Sequence, residues 1–108
     1  MTPIAVLAIG GNSLALPGER GTFLEQQRNA RVTCQGVAEM LAAGYCAVLT
    51  HGNGPQVGNA LLRSELGGAD LPSLRLDECD AETQGEIGYL LQQTLHNTFT
   101  ERGMRVNV

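Results

Sequence analysis

Two short stretches hold the residues whose types and spacing suit chemistry: Gly10-Gly11-Asn12, and His51-Gly52-Asn53-Gly54-Pro55. Glycine has no Cβ, so the main chain there can take positive φ angles and let a ligand come against backbone N–H groups. Pro55 lacks an N–H and has a φ preset for a helix's first turn, which turns a positive dipole end toward the second stretch. Strand, glycine-rich turn and helix N-terminus together make a site for a phosphate or carboxylate. A lone Gly-Gly pair after a strand is more simply a tight turn. Two glycine–asparagine loops are harder to explain that way, because in a parallel sheet both come at the carboxyl edge, where ligands bind. The sequence therefore predicts one joint cradle for a phosphoryl group, made by the backbone of Gly10, Gly11, Asn12, Gly52, Asn53 and Gly54.

Several other chemistries fit less well. Neither loop is followed by Gly-Lys-Ser or Gly-Lys-Thr, and neither fits the Gly-x-Gly-x-x-Gly dinucleotide pattern. His51, at a strand end, is expected to anchor its loop; phosphoryl transfer to an already anionic oxygen needs positioning and charge neutralisation rather than a base. A Cys46 or Cys79 thiolate working with His51 is disfavoured, since Cys46 opens its strand at the far end from the loop and Cys79 has no neighbouring cation. Cys34 reads as core and His96 as surface. Asp77, Glu78, Asp80 and Glu82 lack the glycine and terminal Glu of a calcium loop and read as charge at a helix N-terminus, so no metal ligands are identified.

The elements that must position the loops are legible in the apolar pattern. Ile4–Ile9 is a continuous apolar run, read as a strand buried on both faces, with Asn12 and Ser13 free to cap the next element. Residues 14–21, with Pro17, Gly18 and Gly21, have loop composition. Thr22 and Glu25 form a capping box for a helix whose stripe is Ala30, Cys34, Val37, Ala38 and Leu41, ending at Gly44. A second strand, 46–50, then makes a parallel βαβ crossover the default. Val57, Ala60 and Leu61 continue a helix to Gly67-Gly68. From Asp77 to Arg102 runs a long helix with Ile87, Leu90, Leu91, Thr94, Leu95 and Phe99 on one face, stopped by Gly103. Residues 105–108 read as the opening of a third strand.

Composition bounds the rest. At 108 residues the chain is one domain, and 43% apolar residues with four aromatics imply an aliphatic core of the kind that parallel sheets and helices share. The net charge of −4, with seven scattered arginines and no lysine, argues against nucleic acid or an anionic membrane as partner. Three unpaired cysteines point to a reducing, cytoplasmic setting, and the apolar run at 4–9 is too short for a secretion signal or a membrane span.

The motifs also carry a family resemblance. Ala8-Ile9-Gly10-Gly11-Asn12-Ser13-Leu14, Thr22-Phe23 with Glu25-Gln26, the run from Thr50 to Asn59, Leu76-Asp77-Glu78-Cys79, Thr83-Gln84-Gly85 and Ile87-Gly88-Tyr89 together resemble the amino-terminal part of carbamate kinase, of the amino acid kinase family. His-Gly-Asn-Gly-Pro-Gln is the specific block; Gly-Gly-Asn is shared more widely among related kinases. The resemblance implies a three-layer αβα sandwich with a mainly parallel sheet. It further implies reversible phosphoryl transfer between ATP and carbamate, Mg²⁺ entering with ATP or ADP, and a homodimer. Residues 1–108 would then be the part that binds carbamate or carbamoyl phosphate, with the ATP-binding part and the family's lysines outside this sequence. The competing expectation is a non-catalytic anion-binding or interaction module.

Overall fold

Alternation of burial along the two strands sets the architecture. The computed structural model describes residues 1–108, in which β1 (Ile4–Ile9) pairs in parallel with β2 (Cys46–His51), Ile4 opposite Cys46 and Ile9 opposite His51. Between them lie a single turn of helix, α1 (Gly11–Leu14), and the long α2 (Phe23–Ala42); α3 (Gly54–Leu66), a 3-10 turn at Gly68–Asp70 and α4 (Leu76–Glu101) complete the chain order.

Successive strand side chains point to opposite sides. Ala5, Leu7, Ile9, Ala47 and Leu49 point to the side that the helices cover, whereas Ile4, Val6 and Val48 are 69%, 68% and 48% exposed. Burial on both faces, expected from the continuous apolar runs, is therefore not found. The core lies on one side only, because α2 and α4 pack on each other and on that side while no helix of these residues covers the other. Helices and parallel sheet are arranged as in the expected αβα class, with one helical layer present.

Two adjoining clusters make the core. Near the glycine loops, Ile9, Leu14, Ala30, Ile87, Leu90 and Leu91 pack together with Leu49. Farther along, Cys34, Val37, Ala38, Leu95 and Phe99 meet Leu41 and Ala47. The buried Thr94 and Thr98 hydroxyls donate to the carbonyls of Leu90 (2.7 Å) and Thr94 (2.8 Å), so the polar members of the α4 stripe are satisfied within the helix.

Helix ends obey their caps. The Glu25 N–H donates to Thr22 Oγ1 (3.3 Å) and the Thr22 N–H to Glu25 Oε2 (2.9 Å), the reciprocal box expected for α2. At the far end of α4, Gly103 takes φ 68°, the left-handed value that ends a helix. Two expectations fail. Asn12 and Ser13 lie inside α1 rather than capping it, since its N-cap is Gly10 and carries no side-chain bond. Residues 105–108 join no ladder: Val106 packs on the second cluster and the Val108 carbonyl accepts from Gln92 Nε2 at 3.1 Å.

Candidate functional site

Because β1 and β2 are in register, their carboxyl ends deliver the two glycine loops side by side. The Gly52 N–H donates to the Ile9 carbonyl at 2.7 Å, continuing the ladder past the last paired residues. A Cβ built on Gly11 would lie 2.8 Å from Gln56 Oε1 and 3.1 Å from both the Gly54 nitrogen and Pro55 Cδ; one on Gly52 would lie 3.4 Å from the Gly11 nitrogen. The loops are interlocked backbone to backbone. None of the glycines at 10, 11, 52 and 54 has positive φ, so the expected left-handed backbone is absent. Close approach is the physical reason for glycine at 11, while a Cβ on Gly54 would meet nothing within 4 Å and would point into open space.

Backbone donors at these helix starts lack partners. The N–H groups of Gly10, Gly11, Asn12, Asn53, Gly54 and Gln56 donate to no group of the chain, standing at the starts of α1 and α3 where the usual carbonyl a turn back is missing or unbonded. Gly52 is different: its N–H is engaged with Ile9, so of the six expected cradle residues it contributes shape rather than a donor. The 13-residue α3 aims its positive end at the same place, with Pro55 in its first turn as the sequence predicts.

Behind the loops lies a buried amide network to which no motif in the sequence points directly. Gln26 Nε2 donates to the Gly21 carbonyl (2.9 Å), and Gln56 Nε2 donates to Gln26 Oε1 (3.0 Å) and the Gly11 carbonyl (3.3 Å). Three segments are thereby tied to the back of the cradle. Asn53 provides the front tie: its Nδ2 donates to Asp80 Oδ1 (2.5 Å) and Thr83 Oγ1 (2.8 Å) on α4. His51, expected as the loop anchor, makes only a local contact, Nδ1 to the carbonyl of Gly52 next to it at 3.2 Å.

Positive charge near the site comes from one arginine. Arg20 makes no ion pair and, with Asn12, Pro55 and Asn59, lines a polar cavity of about 520 Å³ beside the loops. Glu19 on the same rim is held below the usual carboxylate range by the Asn29 amide first, then by the Leu16 N–H, with Arg28 adding a smaller pull. Asp77 and Glu78 are engaged at the start of α4, Asp77 with the Arg75 guanidinium and Glu78 accepting the Arg75 N–H at 2.8 Å. That bonding fits the helix N-terminal role expected for them.

Nucleophilic cysteine chemistry has no support. Burial pushes the Cys34 thiol up to about 11, and burial, with Glu82 and Glu78 adding, raises that of Cys79. Cys46 is exposed at the opposite end of β2 from His51. A groove of about 450 Å³ by Cys46, lined by Val37, Leu41, Leu95, Phe99 and Val106, is apolar and far from the glycine loops. No helix is long and apolar enough to cross a membrane.

A pair of interlocked glycine loops at parallel strand ends, beside the start of a helix, defines an α/β unit, and its relatives in sequence and fold include kinases. Several are carbamate kinases. The carbamate kinase of Pyrococcus furiosus is 45% identical over 105 residues, which are 95% of this chain and 33% of that protein. The carbamate kinase-like protein YahI of Escherichia coli is 44% identical over the same shares of each chain. Among solved structures, a Giardia carbamate kinase superposes with a TM-score of 0.93 at 34% identity, covering 99% of this chain and 36% of that one. The Giardia lamblia carbamate kinase bound to AMP-PNP gives 0.91 at 34% identity, covering 97% and 37%. No protein-family model matches. The likeness expected from the motifs is thus found in both sequence and fold, and the chain spans about a third of the length of the curated relatives it matches.

Proposed function

We propose that residues 1–108 form the substrate cradle of a carbamate kinase-type phosphotransferase. The cradle holds carbamate or carbamoyl phosphate while a phosphoryl group passes between it and the nucleotide. One observation carries the reading: on two loops locked against each other beside the N-terminus of α3, six backbone N–H groups have no partner in the chain. Phosphoryl transfer relies on positioning and on stabilising charge spread over the transferred oxygens, and fixed N–H dipoles supply both without reorganising. Arg20 lines the adjoining polar cavity and is suited to the carboxylate-like end of the substrate.

Mg²⁺ enters this reaction with ATP or ADP as part of the substrate, and the chain offers it no cluster of ligands. The lysine-free composition supports a second reading, anion binding without turnover by these residues alone. A reducing cytoplasmic location and a homodimer belong to the same proposal, supported by the free cysteines and the resemblance respectively. Calorimetry with carbamoyl phosphate tests the cradle. The chain should bind one equivalent, and Gly54→Val, which adds its side chain in open space, should stay folded and lose most of the affinity. Equal binding by the folded variant would refute it. Conversion of ADP to ATP from carbamoyl phosphate should stay at the no-enzyme rate, and turnover lost on Gly54→Val would overturn the second reading.

A further inference from the structure

Asn53 is the N-cap of α3, yet it makes no side-chain cap bond. An asparagine in that place ordinarily accepts from a backbone N–H of the first turn. With Pro55 in the second helical position, the one N–H within reach of such a cap is that of Gln56. Instead both Nδ2 protons are directed away, to Asp80 Oδ1 and to Thr83 Oγ1, 27 and 30 residues further along the chain. Thr83 is fully buried and its own hydroxyl proton goes to the Asp80 carbonyl at 2.8 Å, so its oxygen is turned to accept from Asn53.

We infer that Asp80 and Thr83 are positioning residues for the cradle: by taking the Asn53 side chain they stop it from capping its own helix and so keep the first turn of α3 open to an anion. The inference deepens the reading of the loops as a phosphoryl-group cradle and rests on it. Freed from α4, the Asn53 amide can rotate back over α3, and its oxygen then competes with the ligand for the Gln56 N–H.

Asp80 gives a test with opposite signs. As a carboxylate close to an anion site it repels the ligand, so if charge alone mattered Asp80→Ala and Asp80→Asn would both tighten binding. The positioning role predicts that Asp80→Ala weakens it, whereas Asp80→Asn keeps an acceptor oxygen, drops the charge and binds at least as tightly as the parent. Loss of one N–H bond to a charged ligand corresponds to about tenfold or more in affinity. Thr83→Val should act like Asp80→Ala, and Thr83→Ser should restore most of what Thr83→Val loses.

The experiment is ¹⁵N NMR of the full 108-residue chain and these variants, titrated with inorganic phosphate and then carbamoyl phosphate, with exchange rates read at the Asn53 side-chain amide and the Gln56 backbone amide. In the parent the Asn53 side-chain protons should be protected and the Gln56 N–H, which donates to no group of the chain, should exchange faster; in Asp80→Ala the two should exchange roles as affinity falls. Parent-like affinity in Asp80→Ala, or equal weakening in Asp80→Asn, would overturn the inference. If the parent binds neither anion, the cradle reading fails by itself. The tie is then still decided by the two exchange rates, unchanged rates in Asp80→Ala refuting it.

Discussion

Gly11→Ala is the sharpest perturbation of the interlocked loops. The added methyl would stand 2.8 Å from Gln56 Oε1 and 3.1 Å from both the Gly54 nitrogen and Pro55 Cδ, where carbon needs roughly 3.4 Å or more. Gln56 is buried and already bonded to Gln26 and the Gly11 carbonyl, so it has little room to retreat, and the other two atoms belong to the start of α3. The loops must part by several tenths of an ångström. Overpacking of this kind costs about 1–3 kcal/mol. For a chain of this size each kcal/mol lowers Tm by about 4 °C, so differential scanning calorimetry should show a fall of about 4–12 °C. Gly54→Ala is the control, since its methyl meets nothing within 4 Å, and it should move Tm by no more than about 2 °C. A Gly11→Ala variant with unchanged Tm would refute the interlocking of the loops.

Other outcomes depend on particular contacts. Thr22→Ala removes the acceptor half of the α2 capping box and should cost about 1 kcal/mol, read from the shift in urea midpoint at constant slope. A thiol reagent at pH 8 should modify Cys46 rapidly and leave the buried Cys34 and Cys79 untouched until the chain unfolds. Stability should also fall in alkali. Cys34 is held protonated when folded, its thiol at about 11, while the unfolded thiol ionises near 9. The unfolded chain therefore binds fewer protons between those values, and up to about 3 kcal/mol present below pH 9 is lost as pH rises to 11. Cys79, raised in the same direction, adds to the decline. Urea titrations of the parent and Cys34→Ser across that range check it, and an equally steep decline in the serine variant would remove Cys34 as the cause.

Much of this arrangement is legible in the residues themselves. The α2 cap, the α4 stripe from Ile87 to Phe99 and the start of α3 at Pro55 come from local rules, because each depends on neighbours three or four places away. The glycine loops declare themselves by their place after apolar runs. Their conformation does not: a sequence cannot tell a glycine needed for positive φ from one needed for close approach, and Gly11 is the second kind. A short apolar run likewise cannot say whether one or both sides of a strand are covered, which is why Ile4 and Val6 read as inside yet stand exposed. The ties of Asn53 to Asp80 and Thr83, and of Gln56 to Gln26, join residues 27 to 30 places apart. Glutamine at 26 and 56 is visible as part of the family resemblance, but burial gives it a role, and burial comes from packing α2 and α3 each against α1 behind the loops.

The central claim is that both loops offer their backbone to one anion. A ¹H–¹⁵N titration of the parent chain with carbamoyl phosphate, against sodium chloride at matched ionic strength, tests it most directly. The account predicts that the amides of Gly10, Gly11, Asn12, Asn53, Gly54 and Gln56 shift together along curves sharing one dissociation constant, with Gly52 moving least because its N–H stays on the Ile9 carbonyl. Shifts confined to one loop, or the largest shifts elsewhere in the chain, would contradict it.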